Sequence, residues 1–143
     1  MRENRALLIR MMRCLHSVDG QYGQLWRSLG IKRSLFVLLC ACVDETVRSQ
    51  KEICEEWCLP RSTLNTVVRE QVHAGNVELV PRGNKEKDVR LTKAGQALAE
   101  RILGPMLDAE EKVARKCLNN GTVEGVEDFA AEIKKAFEPL YSK

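Results

Sequence analysis

This sequence has few histidines, and it shows neither the pattern of a signal peptide nor a long apolar run. Each of these features is typical of a class of protein that we therefore do not expect. Only two histidines occur among 143 residues, and no Ser-His-Asp, paired-carboxylate or phosphate-loop pattern accompanies them, so we expect no catalytic activity. Arginines interrupt the apolar positions of the first twenty residues, which leaves no apolar stretch typical of a signal peptide. No run of about 18 apolar residues follows. We therefore expect a cytoplasmic protein without a membrane partner.

The six cysteines are interpreted as free thiols. A secreted domain of this size would use them in disulfides, but a chain with 44% apolar residues and no export signal can bury a core without cross-links. Cys54 and Cys58 stand four residues apart, which on a helix places both thiols on one face. A soft metal ion needs at least a third ligand, and no Cys-x-x-Cys pair occurs. We therefore expect no metal site and no other cofactor.

Apolar residues at spacings of three and four predict long helices at both ends of the chain. The first helix covers about residues 3–29 and the second about residues 32–43. A fifth helix begins after Thr92 and contains Gly104-Pro105, where we expect a kink. Thr122 is predicted to open a sixth, amphipathic helix.

The middle of the chain predicts two short helices followed by a hairpin. Ser49-Gln50-Lys51-Glu52 has the capping-box pattern that starts a third helix. The fourth runs over about residues 61–74, and Gly75 is its stop. Apolar residues then alternate with polar ones across residues 77–91, on either side of Pro81-Arg82-Gly83-Asn84, which predicts two strands joined by a basic tip.

This order of elements describes a winged helix-turn-helix, so the predicted fold class is mainly α with a small β-hairpin wing. The winged unit, residues 32–92, would be flanked by an N-terminal dimerisation helix at residues 1–31 and by C-terminal dimerisation helices at residues 93–143. The flanking helices carry apolar stripes that need a partner, and pairing with a second copy across a two-fold axis is the economical solution. We therefore expect a homodimer.

Residues 52–95, EICEEWCLPRSTLNTVVREQVHAGNVELVPRGNKEKDVRLTKAG, resemble the winged helix-turn-helix of MarR-type transcriptional regulators. The most specific parts are Leu59-Pro60-Arg61-Ser62-Thr63 and Leu91-Thr92-Lys93-Ala94-Gly95. Two departures stand out, because the family usually has apolar residues in place of Gln71 and Asn76. The tip of the wing also lacks the common Asp-x-Arg element and has Arg82, Lys85 and Lys87 instead.

The fourth helix carries polar and basic side chains opposite its apolar face, and such groups hydrogen-bond base edges and phosphates in a major groove. The predicted DNA-binding residues of this helix are Arg61, Ser62, Thr63, Asn65, Thr66 and Arg69. On the wing they are Arg82, Lys85, Lys87 and Arg90, which would reach the minor groove or the backbone. Double-stranded DNA is therefore the predicted partner.

The resemblance implies a sequence-specific transcriptional regulator, a repressor, whose dimer binds a pseudo-palindromic operator. It also implies modulation by a small aromatic or lipophilic effector, with Cys14, Tyr22 and Trp26 as candidate pocket residues. One alternative is a thiol-based redox or metal sensor on the same scaffold, because Cys14 lies about as deep in the first helix as the reactive cysteine of hydroperoxide-sensing members. The other is a protein-interaction module that has lost DNA binding.

Overall fold

The computed structural model describes residues 2–44, 47–83 and 85–142. Within these residues six helices and three strands follow one another in the order α1 (Arg2–Ser28), α2 (Arg33–Cys42), β1 (Arg48–Ser49), α3 (Gln50–Trp57), α4 (Arg61–His73), β2 (Val77–Arg82), β3 (Glu86–Leu91), α5 (Lys93–Cys117) and α6 (Asn120–Tyr141). The predicted fold class is confirmed. No helix of the described residues is both long and apolar enough to span a bilayer.

Two compact units make up the chain, Met1–Leu103 and Gly104–Lys143. The boundary falls inside α5, beside the predicted kink, and the helix continues through Pro105. The functional division into dimerisation and DNA-binding segments, and the kink itself, stay predictions.

The core of the first unit is built from side chains of α2, α3, α4, β3 and α5. Its largest fully buried side chains are Leu38, Leu39, Ile53, Leu64, Val68, Val89 and Leu103. Burying one such side chain stabilises the fold by roughly 1.5–3 kcal/mol. This core supplies the rigid support for the surface described below.

The predicted capping box at the start of α3 is confirmed. The Ser49 hydroxyl accepts a hydrogen bond from the backbone N–H of Glu52 at 3.2 Å, and the Glu52 carboxylate accepts one from the backbone N–H of Ser49 at 2.7 Å. Strand β1, which the sequence analysis missed, ends at Ser49, the first residue of this box. A strand of two residues is too short to show an alternating pattern.

The three strands form one antiparallel sheet in the order β1-β3-β2. We call β2, β3 and the turn between them the wing. The ladder of the wing runs from Val77 opposite Leu91 to Arg82 opposite Glu86. Gly83 then turns the chain with a φ of +64°, which glycine adopts without strain. Asn84, part of the predicted tip, lies outside the described residues.

The two polar departures from the family pattern bond to each other. The side-chain amide of Asn76 donates a hydrogen bond to the side-chain oxygen of Gln71 at 2.9 Å. Two apolar residues are thus replaced by one mutually satisfied polar pair, so neither amide is left without a partner. Val72, the residue between Gln71 and the end of α4, is 39% exposed and is not part of the core.

The start of α5 is fastened to the turn that follows α4. The Thr92 hydroxyl donates to the Gly75 carbonyl at 2.7 Å and accepts from the backbone N–H of Gly95 at 3.1 Å, while the Thr92 N–H donates to the Asn76 carbonyl at 3.0 Å. A Cβ on Gly95 would lie 1.9 Å from the Asn76 carbonyl oxygen. The hydrogen bonds of Thr92 explain the threonine of this motif, and the close approach to the Asn76 carbonyl explains the glycine three residues later.

The terminal helices bury little of their apolar surface within one chain. Over the part of each helix that the structure describes, neither α1 nor α6 contains a buried residue. On α6 the large apolar side chains of Phe137 and Leu140 are 50% and 72% exposed. Helix α6 also begins at Asn120 rather than at Thr122, because the Asn119 side chain accepts the N–H of Thr122 at 2.9 Å and caps the helix.

We predict that Gly95→Ala lowers the free energy of unfolding by about 2–3 kcal/mol, because the new methyl group forces the start of α5 away from the Asn76 carbonyl. Gly20→Ala is the matched control, since Gly20 lies in α1 and a Cβ added there would meet no atom of the described residues within 4 Å. That control should gain about 0.5–1 kcal/mol from helix propensity. Urea unfolding measures both, and equal midpoints for the two variants would contradict the close approach.

Candidate nucleic-acid interface

Helix α4 has one buried face and one exposed polar face. Leu64, Val67 and Val68 are at most 2% exposed. All six residues predicted to contact DNA from this helix are exposed: Arg61, Ser62, Thr63, Asn65, Thr66 and Arg69. The N-cap residue is Pro60, which has no side-chain group to cap the helix. The first backbone N–H groups therefore point out of the helix end, where the helix dipole favours an anion.

The hydroxyl of Thr66 is partly used inside the helix. It donates to the backbone carbonyl of Ser62 at 2.9 Å. What Thr66 offers outward is an acceptor oxygen and a methyl group, and a methyl group suits contact with the C5-methyl of thymine. Ser62, Asn65 and the two arginines supply the donors of this surface.

The turn between α3 and α4 is held in one conformation by Cys58 and Leu59. Helix α3 ends at Trp57, and Cys58 takes the left-handed conformation with a φ of 51°. The N–H groups of Cys58 and Leu59 both donate to the Cys54 carbonyl, and the Leu59 side chain is 7% exposed. This buried anchor fixes the direction in which α4 leaves the turn.

A cleft of about 460 Å³ lies between α3, α4 and the wing. It is lined by Gln50, Lys51, Cys54, Arg61, Ser62, Asn65 and Glu86. Gln50 and Lys51 are therefore candidate contact residues that the sequence analysis missed. Their place at the start of the helix before α4 was the available signal, since that helix end lies beside the exposed face of α4.

A shallower concavity of about 270 Å³ adjoins the other edge of the α4 surface. There Lys32 and Ser34, at the start of α2, lie beside Thr63 and Thr66. Lys32 is exposed and forms a 4.0 Å ion pair with Glu70 of α4. A pair this exposed contributes little to stability, so the ammonium group can exchange its partner for another anion.

The four predicted basic residues of the wing occupy different environments. Lys85 and Lys87 are exposed and border a cavity of about 230 Å³ together with Ser49, Gln50 and Lys51. Arg90 lines a different cavity of about 580 Å³, which β3, the start of α5 and Cys42 surround. The structure thus brings the two lysines next to α3 and places Arg90 beside α5.

Arg82 is held by two carboxylates. Its Nη1 atom lies 3.1 Å from both carboxylate oxygens of Glu52 and 3.4 Å from Oδ1 of Asp88. The backbone N–H of Ser49 and the guanidinium of Arg82 together hold the pKa of Glu52 below its usual value. The ion pair is therefore fully formed near neutral pH and weakens as pH falls through that lowered pKa.

Cys54 and Cys58 do not share a helix face, contrary to the sequence-based expectation. Cys54 is buried on α3, whereas Cys58 is exposed in the turn after the helix has ended. Burial raises the pKa of the Cys54 thiol. Burial also raises the pKa of Cys42 to about 11, with a further contribution from the Asp44 carboxylate. In residues 2–44, 47–83 and 85–142 no three His, Cys, Asp or Glu side chains cluster as metal ligands.

The three candidate effector-pocket residues lie along α1. Tyr22 is half-buried, with its ring 6.2 Å from that of Phe36. Trp26 is half-buried beneath the guanidinium of Arg27, 5.2 Å from the ring centroid. Cys14 is exposed. It lies eight positions before Tyr22 on the helix, which corresponds to about 12 Å along the helix axis. The structure therefore brings Tyr22 next to α2, places Trp26 one helical turn further along α1, and leaves Cys14 apart from both.

Comparison with known proteins adds information at the level of the fold. No protein-family model and no curated protein matches this sequence, but 154 chains of solved structures do. The chain is similar to NMB1585, a MarR family regulator from Neisseria meningitidis, at 22% identity, a TM-score of 0.73 and 99% coverage of both chains.

Two further solved structures resemble the chain over most of its length. NadR in complex with 4-hydroxyphenylacetate shares 18% identity at a TM-score of 0.66, covering 89% of this chain and 91% of NadR. Overoxidized AbfR bound to DNA shares 18% identity at a TM-score of 0.60, covering 96% of this chain and 98% of AbfR. The resemblance found in the sequence is confirmed in three dimensions: the chain has the winged-helix fold of the MarR family regulators.

Proposed function

We propose that the protein is a sequence-specific, double-stranded DNA-binding transcriptional regulator. The observation that carries this proposal is the exposed face of α4, where six polar or basic side chains stand opposite a face that is locked in the core. Such a helix can enter a major groove without leaving buried groups unsatisfied. The exposed Lys85 and Lys87 would contact the sugar-phosphate backbone beside it. AbfR, which has the same fold, was solved bound to DNA.

We further propose that two copies act together as a homodimeric repressor on a pseudo-palindromic operator. One stripe of α1, with residues at spacings of three and four, is apolar and exposed in a single chain; it contains Leu8, Met11, Leu15 and Val18, at 37%, 37%, 37% and 56%. Contiguous apolar surface of this kind is typical of an interface, and a second copy would cover it symmetrically. The two α4 helices would then lie about 34 Å apart to enter successive major grooves. A sedimentation mass of one chain at micromolar concentration would contradict the dimer.

A small aromatic or lipophilic effector is proposed to modulate DNA binding from a site near Tyr22 and Trp26. Both rings are half-buried on α1, and the structurally similar NadR was solved with 4-hydroxyphenylacetate. An aromatic ligand would stack on such rings. A titration with hydroxyphenyl carboxylates that leaves DNA affinity unchanged would argue against this site.

We predict that Arg61→Ala and Arg69→Ala each weaken binding to the operator by about ten- to a hundredfold, because each removes a charged hydrogen-bond donor from the α4 surface. The operator is first recovered from a random-sequence DNA pool, and the wild type should prefer it to scrambled DNA by about a thousandfold. Fluorescence anisotropy measures each affinity.

Arg101→Ala provides the control for loss of charge alone. Arg101 is exposed on α5 and belongs to neither α4 nor the wing. Its removal should change the affinity by less than about threefold, through long-range attraction only. An Arg61→Ala, Arg69→Ala double variant with wild-type operator affinity would refute α4 as the DNA-contacting helix.

A further inference from the structure

Arg82 stands at the junction of three separate segments of the first unit. It is the last residue of β2, immediately before the turn of the wing. Its guanidinium bridges Glu52, at the start of α3, and Asp88, on the middle strand of the sheet. The partners in the Glu52 pair are 30 residues apart in sequence. One side chain therefore ties the far end of β2 to both α3 and β3.

Both carboxylates in this junction are themselves fixed in place. Glu52 accepts the Ser49 N–H of the capping box while it pairs with Arg82. The Asp88 side chain is only 11% exposed, and a buried carboxylate is costly unless a positive group pairs with it. The carboxylates of Glu52 and Asp88 thus contact Arg82 from two sides, and each is itself restrained in its position.

The junction sets the position of the wing tip relative to α4. Pairing of Ser49 with Asp88 fixes the middle of the wing to β1, and the Arg82 ion pairs fix its far end to α3. Helix α3 in turn packs on α4, where Ile53 and Leu64 are both fully buried. The turn that follows Arg82 leads to Lys85 and Lys87. A chain of contacts therefore runs from α4 through α3 to the end of β2, beside the turn that leads to the two exposed lysines.

We propose that Arg82 is a positioning residue of the DNA-binding surface and not a DNA contact. Held by Glu52 and Asp88, it sets the spacing between the α4 face, which enters the major groove, and the lysines of the wing, which contact the backbone. This inference rests on the DNA-binding function proposed above. It reassigns one of the four wing residues that the sequence analysis placed on DNA.

Neutralising Glu52 distinguishes a positioning role of Arg82 from a direct DNA contact, because the two roles predict opposite changes in DNA affinity. If Arg82 contacted phosphate and Glu52 merely competed for it, Glu52→Gln would release the guanidinium and tighten DNA binding. If Arg82 positions the wing, Glu52→Gln weakens binding even though the protein becomes more positive. Glutamine still accepts the Ser49 N–H of the capping box, so α3 keeps its N-terminal cap.

The experiment measures operator affinity against salt concentration for Arg82→Gln, Glu52→Gln and their double variant. We expect each single variant to bind about tenfold more weakly, and the double variant to bind no more weakly than Arg82→Gln alone, because Glu52 acts only through Arg82. The slope of log affinity against log salt should stay at the wild-type value for Arg82→Gln. Lys85→Ala should lower that slope by about one per subunit, as a lost phosphate contact does.

Glu55→Gln is the matched control. Glu55 lies on the same helix and forms an ion pair with Lys51 at 4.0 Å, in which both side chains are exposed. Its neutralisation changes the charge equally and frees Lys51, a candidate DNA contact, so the affinity should stay unchanged or rise slightly. Tighter binding by Glu52→Gln, together with a lowered salt slope for Arg82→Gln, would overturn the proposal and make Arg82 a phosphate contact.

Amide hydrogen exchange tests the same junction without DNA. Arg82→Gln and Glu52→Gln should each speed exchange at the Arg82 end of the β2–β3 ladder, while the α4 amides keep their protection. Unchanged exchange in the wing would overturn the positioning role. A wild type that prefers no DNA sequence would refute the proposed function, and the exchange result would still decide whether Arg82 fixes the wing.

Discussion

Burial of one face of α4 is the constraint on which the rest of the DNA-binding surface depends. Leu64 and Val68 are completely buried on a helix that packs against α2, α3 and β2, so α4 cannot rotate about its axis without exposing them. Each of these side chains contributes roughly 1.5–3 kcal/mol through burial. The polar face is therefore fixed outward by the same contacts that stabilise the fold, and its donors need no large rearrangement before they meet a base edge.

The polar interactions of the first unit hold the neighbouring elements in register with α4. Thr92 and Gly95 fasten α5 to the turn after α4, the capping box starts α3 at Ser49, and Arg82 joins α3 to the wing. The hydrophobic core determines which face of α4 is exposed, and these bonds determine where the wing lies beside it. A protein that contacts a DNA groove and the adjacent sugar-phosphate backbone at the same time needs both the hydrophobic core and these polar bonds.

Much of this arrangement could be predicted because it is encoded locally. The capping box, the stop at Gly75 and the apolar face of α4 each depend on residues within about one helical turn. The features that were missed depend on distant or unusual contacts. Arg82 meets Glu52 across 30 residues, and Cys58 takes a left-handed conformation that usually indicates glycine. The hydrogen bond between Gln71 and Asn76 was likewise not predicted, because only the turn after α4 brings the two amides together.

Methylation interference tests the central claim, that paired copies of α4 enter the major groove, most directly. DNA containing the selected operator is methylated sparsely at guanine N7, which faces the major groove, and the bound and free fractions are separated. Methylated guanines should be depleted from the bound fraction in two tracts about one helical turn apart. Identical methylation patterns in the bound and free fractions would contradict it, because the protein would then hold the DNA without entering the major groove.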